Sequence, residues 1–375
     1  MKYLPALLSL LLLGSCIYSY DVLPEEEMEL IPVVDAKIVA GDKATLSLNW
    51  VMPLNVNNRN YQKTIPYNWW ITDDQGTYYP ASSSTEVPME NAPLGRQYQL
   101  HLAVNDNIYE SDWLESITPP VIESISFIPD DKMITSQASI KPGKNTSGYI
   151  ALSMVETWEF HTEFEAEYMM IPETGDIVSV QNPSVLNYYC WKTLASESET
   201  IWDLKHMDQE GSIQIPFNYF TRTNNRNHRR YSVLLIARNI SEEEYRYRYN
   251  LQNNKEGGND IFTPNPGQMQ GNIRCVSDET LPVMGYVAIS HASTLRGWMD
   301  NSYYIATSPN EEKLIILEPE LYMDYYWKLE YRPVKNVNLE EGSGLGWGPA
   351  RCVDCLYDGG TLEKPDFWDE YVKPN

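Results

Sequence analysis

Leu46, Leu48 and Trp50 alternate with Ser47 and Asn49, and the same period of two returns at Leu100, Leu102 and Val104. Alternation of this kind marks a strand with one face buried and one face wet. Between the two lie Trp69-Trp70-Ile71-Thr72 and Thr77-Tyr78-Tyr79, joined by the turn sequence Asp73-Asp74-Gln75-Gly76, which predicts a hairpin. Asn105-Asp106-Asn107 turns the chain again, into a short strand over residues 108–113.

Pro93-Leu94-Gly95-Arg96-Gln97 leads into Tyr98 at the head of an alternating strand. That order is the layout of a tyrosine corner in immunoglobulin- and fibronectin-type sandwiches. Short strands at this density therefore predict an immunoglobulin-like β-sandwich over residues 32–119. Thr118-Pro119-Pro120 closes it, because two prolines interrupt both ladders and helices. Residues 120–375 read as a larger, mainly β domain with one or two short helices. Its strands are expected over 149–160, 231–237, 284–290 and 314–317. Ser241 followed by Glu244 is a capping box, with Glu242 and Glu243 in the favourable first turn. That helix is expected to reach about Asn253 and to end before Gly257-Gly258. The aromatic stretch 321–331 fits a helix or a strand, and Gly342-Ser343-Gly344-Leu345-Gly346 reads as a flexible loop.

The first residues change the picture from fold to compartment. Met1-Lys2-Tyr3, the apolar run 4–13 and then Gly14-Ser15-Cys16 have the layout of a signal peptide over residues 1–15. The run is shorter than the roughly 20 residues that span a bilayer. A Leu, two small residues and a Cys form the lipobox of bacterial lipoprotein signals, so Cys16 is expected to carry the lipid. Several acyl chains on one residue anchor stably where a single chain is marginal. Residues 16–31, with Glu25-Glu26-Glu27, then read as a solvated tether. Acidic residues close to a lipidated Cys act as surface-export signals in some bacteria, and here the acid begins at Asp21.

The formal charge is -24, spread along the chain. Such a surface repels phosphate backbones and excludes nucleic acid as a partner. Beyond Cys16 there are Cys190, Cys275, Cys352 and Cys355. An even number in an exported chain predicts two structural disulfides, with three pairings open. Cys352-Val353-Asp354-Cys355 has redox or zinc spacing, but there is no second Cys pair or His pair to complete a zinc set, and no metal or other cofactor is expected.

No G-x-S-x-G, H-E-x-x-H, EF-hand or Walker pattern occurs, and His101, His161, His206, His228 and His291 are scattered. His101 falls on the polar face of its strand and is expected to be solvated. Glu156 and Glu159, flanking Trp158, are the first carboxylates to weigh for glycosidase chemistry, but residues three apart on a strand face opposite ways. The chain is therefore expected to bind rather than catalyse. Its 27 Tyr and 11 Trp suit a sugar, a peptide or a protein partner, or else fill a core. Arg222, Arg226, His228, Arg229 and Arg230 form a basic cluster in an acidic chain, placed to meet an acidic partner or to offset local acid.

Several stretches carry a family likeness. They are Glu156-Thr157-Trp158-Glu159, Cys190-Trp191-Lys192-Thr193 and the run 265–278 followed by Val283-Met284-Gly285-Tyr286. With them go Arg351-Cys352-Val353-Asp354-Cys355, Gly359-Gly360-Thr361 and Lys364-Pro365-Asp366-Phe367-Trp368. Together they resemble the Bacteroidota-type lipoprotein family known as domain of unknown function 4249. The resemblance implies a β-rich outer-membrane lipoprotein, and the cell surface rather than the periplasmic face is the expected location. It also implies an accessory role beside a TonB-dependent β-barrel transporter in nutrient uptake. It carries over no catalytic residues, and it matches the cysteines at 190, 275, 352 and 355. A structural or assembly factor of an outer-membrane complex is the next reading, and a surface glycan or peptide hydrolase the one after.

Overall fold

The computed structural model describes residues 31–51, 65–93, 95–115, 117–143, 146–180, 186–208, 211–256, 271–339 and 342–371. The expected signal peptide, Cys16 and nearly all of the tether lie outside them. The described chain is mainly β.

The alternating segments at the start build two facing sheets. One orders the strands Met284–Ser290, Ile31–Val39, Lys43–Val51 and Glu86–Pro88. The other orders Ile273–Cys275, Asn107–Ser111, Gln97–Val104, Tyr67–Asp73 and Tyr78–Pro80. Val34, Ile38 and Leu46 from the first face Trp69, Leu100 and Leu102 from the second, all buried. The predicted hairpin turn forms between Asp73 and Thr77, and the Asp73 carboxylate accepts from the N–H groups of Gln75 and Thr77 at 3.0 and 2.8 Å. The tyrosine corner is present: the Tyr98 hydroxyl donates to the Pro93 carbonyl at 2.7 Å.

This sandwich is not closed by residues 32–119 alone. Met284–Ser290 lies parallel to Ile31–Val39, pairing Val34 with Gly285 and Ile38 with Ile289, and Ile273–Cys275 pairs with Asn107–Ser111. Strand periodicity identified the segment 284–290 but carries no information on a partner some 250 residues away in sequence.

Pro119 and Pro120 then lead into a second sandwich. Its smaller sheet orders Ile213–Thr221, Met133–Lys141 and Val121–Pro129. The larger orders Tyr189–Ala195, Tyr149–His161, Arg230–Ile240 and Ala292–Asp300, with Thr200–Asp203 also on Tyr149–His161. Ile134 and Phe220 of the first pack on Trp158, Phe160, Tyr231 and Val233 of the second. The expected helix, α1, spans Glu242–Glu256, and the Ser241 hydroxyl accepts from the Glu244 N–H at 3.0 Å.

An ion network ties the two sandwiches together. Arg238, fully buried, holds Glu199 at 2.6 Å and Glu244 at 2.8 Å, and Lys37 from the first sandwich reaches Glu199 at 2.6 Å. Burial alone would raise the Glu199 carboxyl, but the Arg238 guanidinium, Lys37 and Arg248 outweigh it and hold it ionised.

A third layer joins a sheet of Ile315–Ile316, Gly342–Pro349 and Tyr331–Leu339 to helix α2, Tyr322–Lys328. The stretch 321–331, open from sequence, is thus a helix followed by the start of a strand. The expected loop at 342–346 is instead a strand. Glycine is needed there for close approach: a Cβ at Gly346 would lie 2.9 Å from Val337 Cγ2.

Candidate functional site

The strand Tyr149–His161 sends alternate side chains to opposite faces, and this decides the fate of both carboxylates and of the basic cluster. Glu156 shares the inner face with Trp158 and Phe160. Arg226 enters from the 225–227 turn and forks onto it, Nε to Oε1 at 2.9 Å and Nη2 to Oε2 at 3.2 Å, while lying 4.6 Å over the Trp158 ring. The Tyr231 hydroxyl and Asn218 Nδ2 both donate to the same Oε1 at 2.8 Å. Glu159, on the other face, takes Arg229 at 3.1 Å, and Arg229 covers Tyr189.

Arg230 donates to the Trp368 carbonyl at 3.1 Å, and Arg222 donates to the carbonyls of Tyr303 and Asp130. Each arginine proposed for a partner thus has a partner within the chain. The cluster offsets local charge and fastens the C-terminal segment, because residues adjacent in sequence fan out to carboxylates and carbonyls from four other segments. The expectation of a solvated His101 is corrected: it stacks on Trp70 at 5.2 Å and meets Thr72 and Glu110 at 2.8 and 3.1 Å.

The cysteine expectation is corrected in part. Cys190 and Cys355 form a disulfide, while Cys275 and Cys352 are buried free thiols. The latter two lie in separate cores, Cys275 among the first sandwich's apolar residues and Cys352 beside Phe164, Leu314 and Val334. Burial and the nearby Glu163 push the Cys352 thiol up, which opposes a redox role. Around the disulfide the distant motif segments converge. Trp191 and Thr361 exchange backbone hydrogen bonds at 2.9 and 2.7 Å, and Gly360 packs so closely that a Cβ would lie 2.6 Å from Cys190 Cβ.

Beside this junction opens a cleft of about 400 Å³, walled by the end of the strand Tyr149–His161, the 225–228 turn, the loop 304–309 and the segment 351–358. His161 stacks on Tyr188 at 5.2 Å and on His228 at 4.3 Å, and Tyr304 meets His228 edge-on at 4.8 Å. Burial, then the neighbouring His161, lowers the His228 pKa to about 4, so its ring is neutral at pH 7. Burial would raise Glu163, but Lys313 at 2.6 Å and the Asn310 N–H at 2.9 Å overcome it and keep the carboxyl ionised. Asp358 receives Lys192 at 3.9 Å and Asn225 at 3.4 Å. Glu163, so held, is poorly placed to deliver a proton, whereas the stacked rings and amide groups offer contacts to a ligand. No group of three or more His, Cys, Asp or Glu among the described residues is arranged to hold a metal ion.

A larger cleft, about 610 Å³, follows the seam between the sandwiches near Trp113, Ser241 and Tyr286. Its carboxylates Glu242 and Glu244 are committed to Lys205, Arg246, Arg238 and Arg248. Sequence reasoning missed the smaller cleft, whose lining residues lie up to 198 positions apart, from Phe160 to Asp358. The adjacency of His228 to the arginine cluster was its one visible trace.

No curated protein matches the chain. The family match ends before the C-terminal motif that contributes Cys352 and Cys355. It covers the first sandwich, including the borrowed strand Met284–Ser290, and most of the second: residues 18–296 match the family described as domain of unknown function (DUF4249), and the chain belongs to that family.

Proposed function

We propose that this chain is a non-catalytic binding component, lipid-anchored through Cys16 at the outer membrane, which works beside a TonB-dependent β-barrel transporter in nutrient uptake. The observation that carries the reading is the apolar surface on and around α2. Trp327 is 61% exposed, Leu329 55% and Tyr357 46%, with Leu321, Met323 and Leu356 close behind. Arg332 binds this surface together, lying 3.9 Å from the Tyr326 ring centroid and donating to the Tyr357 hydroxyl at 2.6 Å. Clustered apolar side chains of this size left in water mark an interaction site, and rigid aromatics are the usual anchors. The signal-like start and Cys16 support the anchor, and the ion-paired Glu163 of the cleft weighs against hydrolysis.

The test is gentle detergent extraction from the native membrane, with co-purified proteins identified by mass spectrometry. A β-barrel transporter recovered in near-equal amount, and lost with Trp327→Ala plus Leu329→Ser, is the expected outcome. Recovery of the chain alone would sink the stable complex. Intact-mass measurement of the extracted protein checks the lipid on Cys16 separately.

A further inference from the structure

We infer that the cleft beside the Cys190–Cys355 disulfide is a binding site for a small hydroxylated carboxylate, about the size of one uronic acid, with Arg351 as the carboxylate anchor. The inference does not depend on the transporter reading.

It begins with a comparison of arginines. Every other arginine among the described residues has an ion-pair or hydrogen-bond partner in the fold, Arg96 only ion pairs at 3.6 Å. Arg96, Arg226, Arg229, Arg238, Arg246, Arg248 and Arg274 meet carboxylates. Arg222, Arg230 and Arg332 donate to carbonyls, and Arg296 donates to the Ser232 hydroxyl. Arg351 lines the cleft, is exposed, and has no hydrogen bond or ion pair among the described residues. In a chain of net charge -24, a guanidinium in a concave site with no partner among the described residues is unexpected on grounds of solubility.

The other charges of the cleft cannot neutralise it. Glu163 is held by Lys313, and Asp358 by Lys192. Counted with these partners, the cleft carries one surplus positive charge. A guanidinium presents two parallel N–H groups that match a carboxylate in bidentate geometry.

The rest of the lining selects the body of the ligand. Asn225 and Thr307 offer donors and acceptors for hydroxyl groups, and the His228 Nδ1 atom is buried without a hydrogen-bond partner among the described residues. Tyr304 and the His161–His228 stack supply ring faces and edges. A volume of about 400 Å³ suits one sugar-sized ring.

The test titrates the full-length protein with galacturonate, glucuronate, N-acetylneuraminate and quinate, and with galactose as the neutral control. Binding is followed by calorimetry and by the imidazole resonances of His161 and His228. At least one of the acids should bind and shift both imidazoles, whereas galactose should do neither. Arg351→Gln should weaken that binding about tenfold or more, since charge-assisted bonds to a carboxylate are lost. Arg351→Lys should restore part of it. Arg351 has no hydrogen-bond or ion-pair partner to lose among the described residues, so the variants should melt like the parent. Silence from all four acids, equal binding of galactose, or Arg351→Gln binding as tightly as the parent would each overturn the inference.

Discussion

Arg226 and Glu156, 70 residues apart in sequence, meet inside the second sandwich through two parallel bonds of 2.9 and 3.2 Å. The pair is asymmetric. The Arg226 side chain retains 22% of its exposure and the Glu156 side chain only 5%. Each residue on its own suggested a different function, a partner contact for one and an acid catalyst for the other. In the fold each is the other's partner.

The asymmetry predicts unequal mutants. Arg226→Ala strands a buried carboxylate with only Tyr231 and Asn218 as donors, and should cost about 3–5 kcal/mol of stability. Glu156→Gln keeps an acceptor for those two groups and leaves Arg226 able to reach water. It should cost less, about 1–2 kcal/mol. Urea midpoints of the two variants give the comparison. A Glu156→Gln protein weaker than Arg226→Ala would contradict the burial argument.

The Tyr98 hydroxyl stabilises the first sandwich through one bond to a loop carbonyl. Tyr98→Phe keeps the ring in the core and removes only that bond, so the expected loss is about 1 kcal/mol. Thermal melts measure it directly. A loss beyond about 3 kcal/mol would mean that the ring had moved as well.

How much could be read in advance depended on how local each feature is. Tyr98 and its Pro93 acceptor lie five residues apart, and Ser241 caps Glu244 three residues on, so both were legible. Met284–Ser290 was legible as a strand but not as a member of the first sandwich. The glycines at 344 and 346 suggested freedom, where the fold uses them for contact. The cleft was invisible, because His161, His228, Tyr304 and Arg351 approach one another only after the sheets and the disulfide have formed. The same distance explains the arginine cluster, whose acceptors at Glu156, Glu159, Tyr303 and Trp368 belong to other segments.

The disulfide assignment makes a chemical prediction. Alkylation of the unreduced, denatured protein should label Cys275 and Cys352 and spare Cys190 and Cys355, as read by peptide mass spectrometry. The bridge spans 165 positions. Removing it with Cys190→Ala and Cys355→Ala together should cost about 3–5 kcal/mol by the loop-closure argument. Cys275→Ala deletes one small buried group and should cost about 1 kcal/mol. Protection of Cys275 or Cys352 from the label would show a different pairing.

His228 gives the fold a pH dependence whose sign can be worked out. The unfolded chain takes up a proton at the ordinary histidine value of 6.5, while the folded chain resists until about 4. Between those values the unfolded state binds more protons, so stability falls as the pH drops below 6.5 and is unaffected above it. His291, lowered by burial as well, acts in the same direction. Carboxylates such as Glu163 and Glu199, held below their ordinary value of 4.5, add their own losses only nearer that value and beneath it. The interval from 6.5 to 5 therefore belongs to the histidines. With His228 partly open to water and the shift discounted for screening, the loss by pH 5 should be about 1 kcal/mol. Urea midpoints at pH 7, 6 and 5 should fall in the parent protein and fall less in His228→Phe, which keeps a ring against His161. Equal slopes in the two proteins would place the histidine effect elsewhere, with His291→Phe as the next variant to compare.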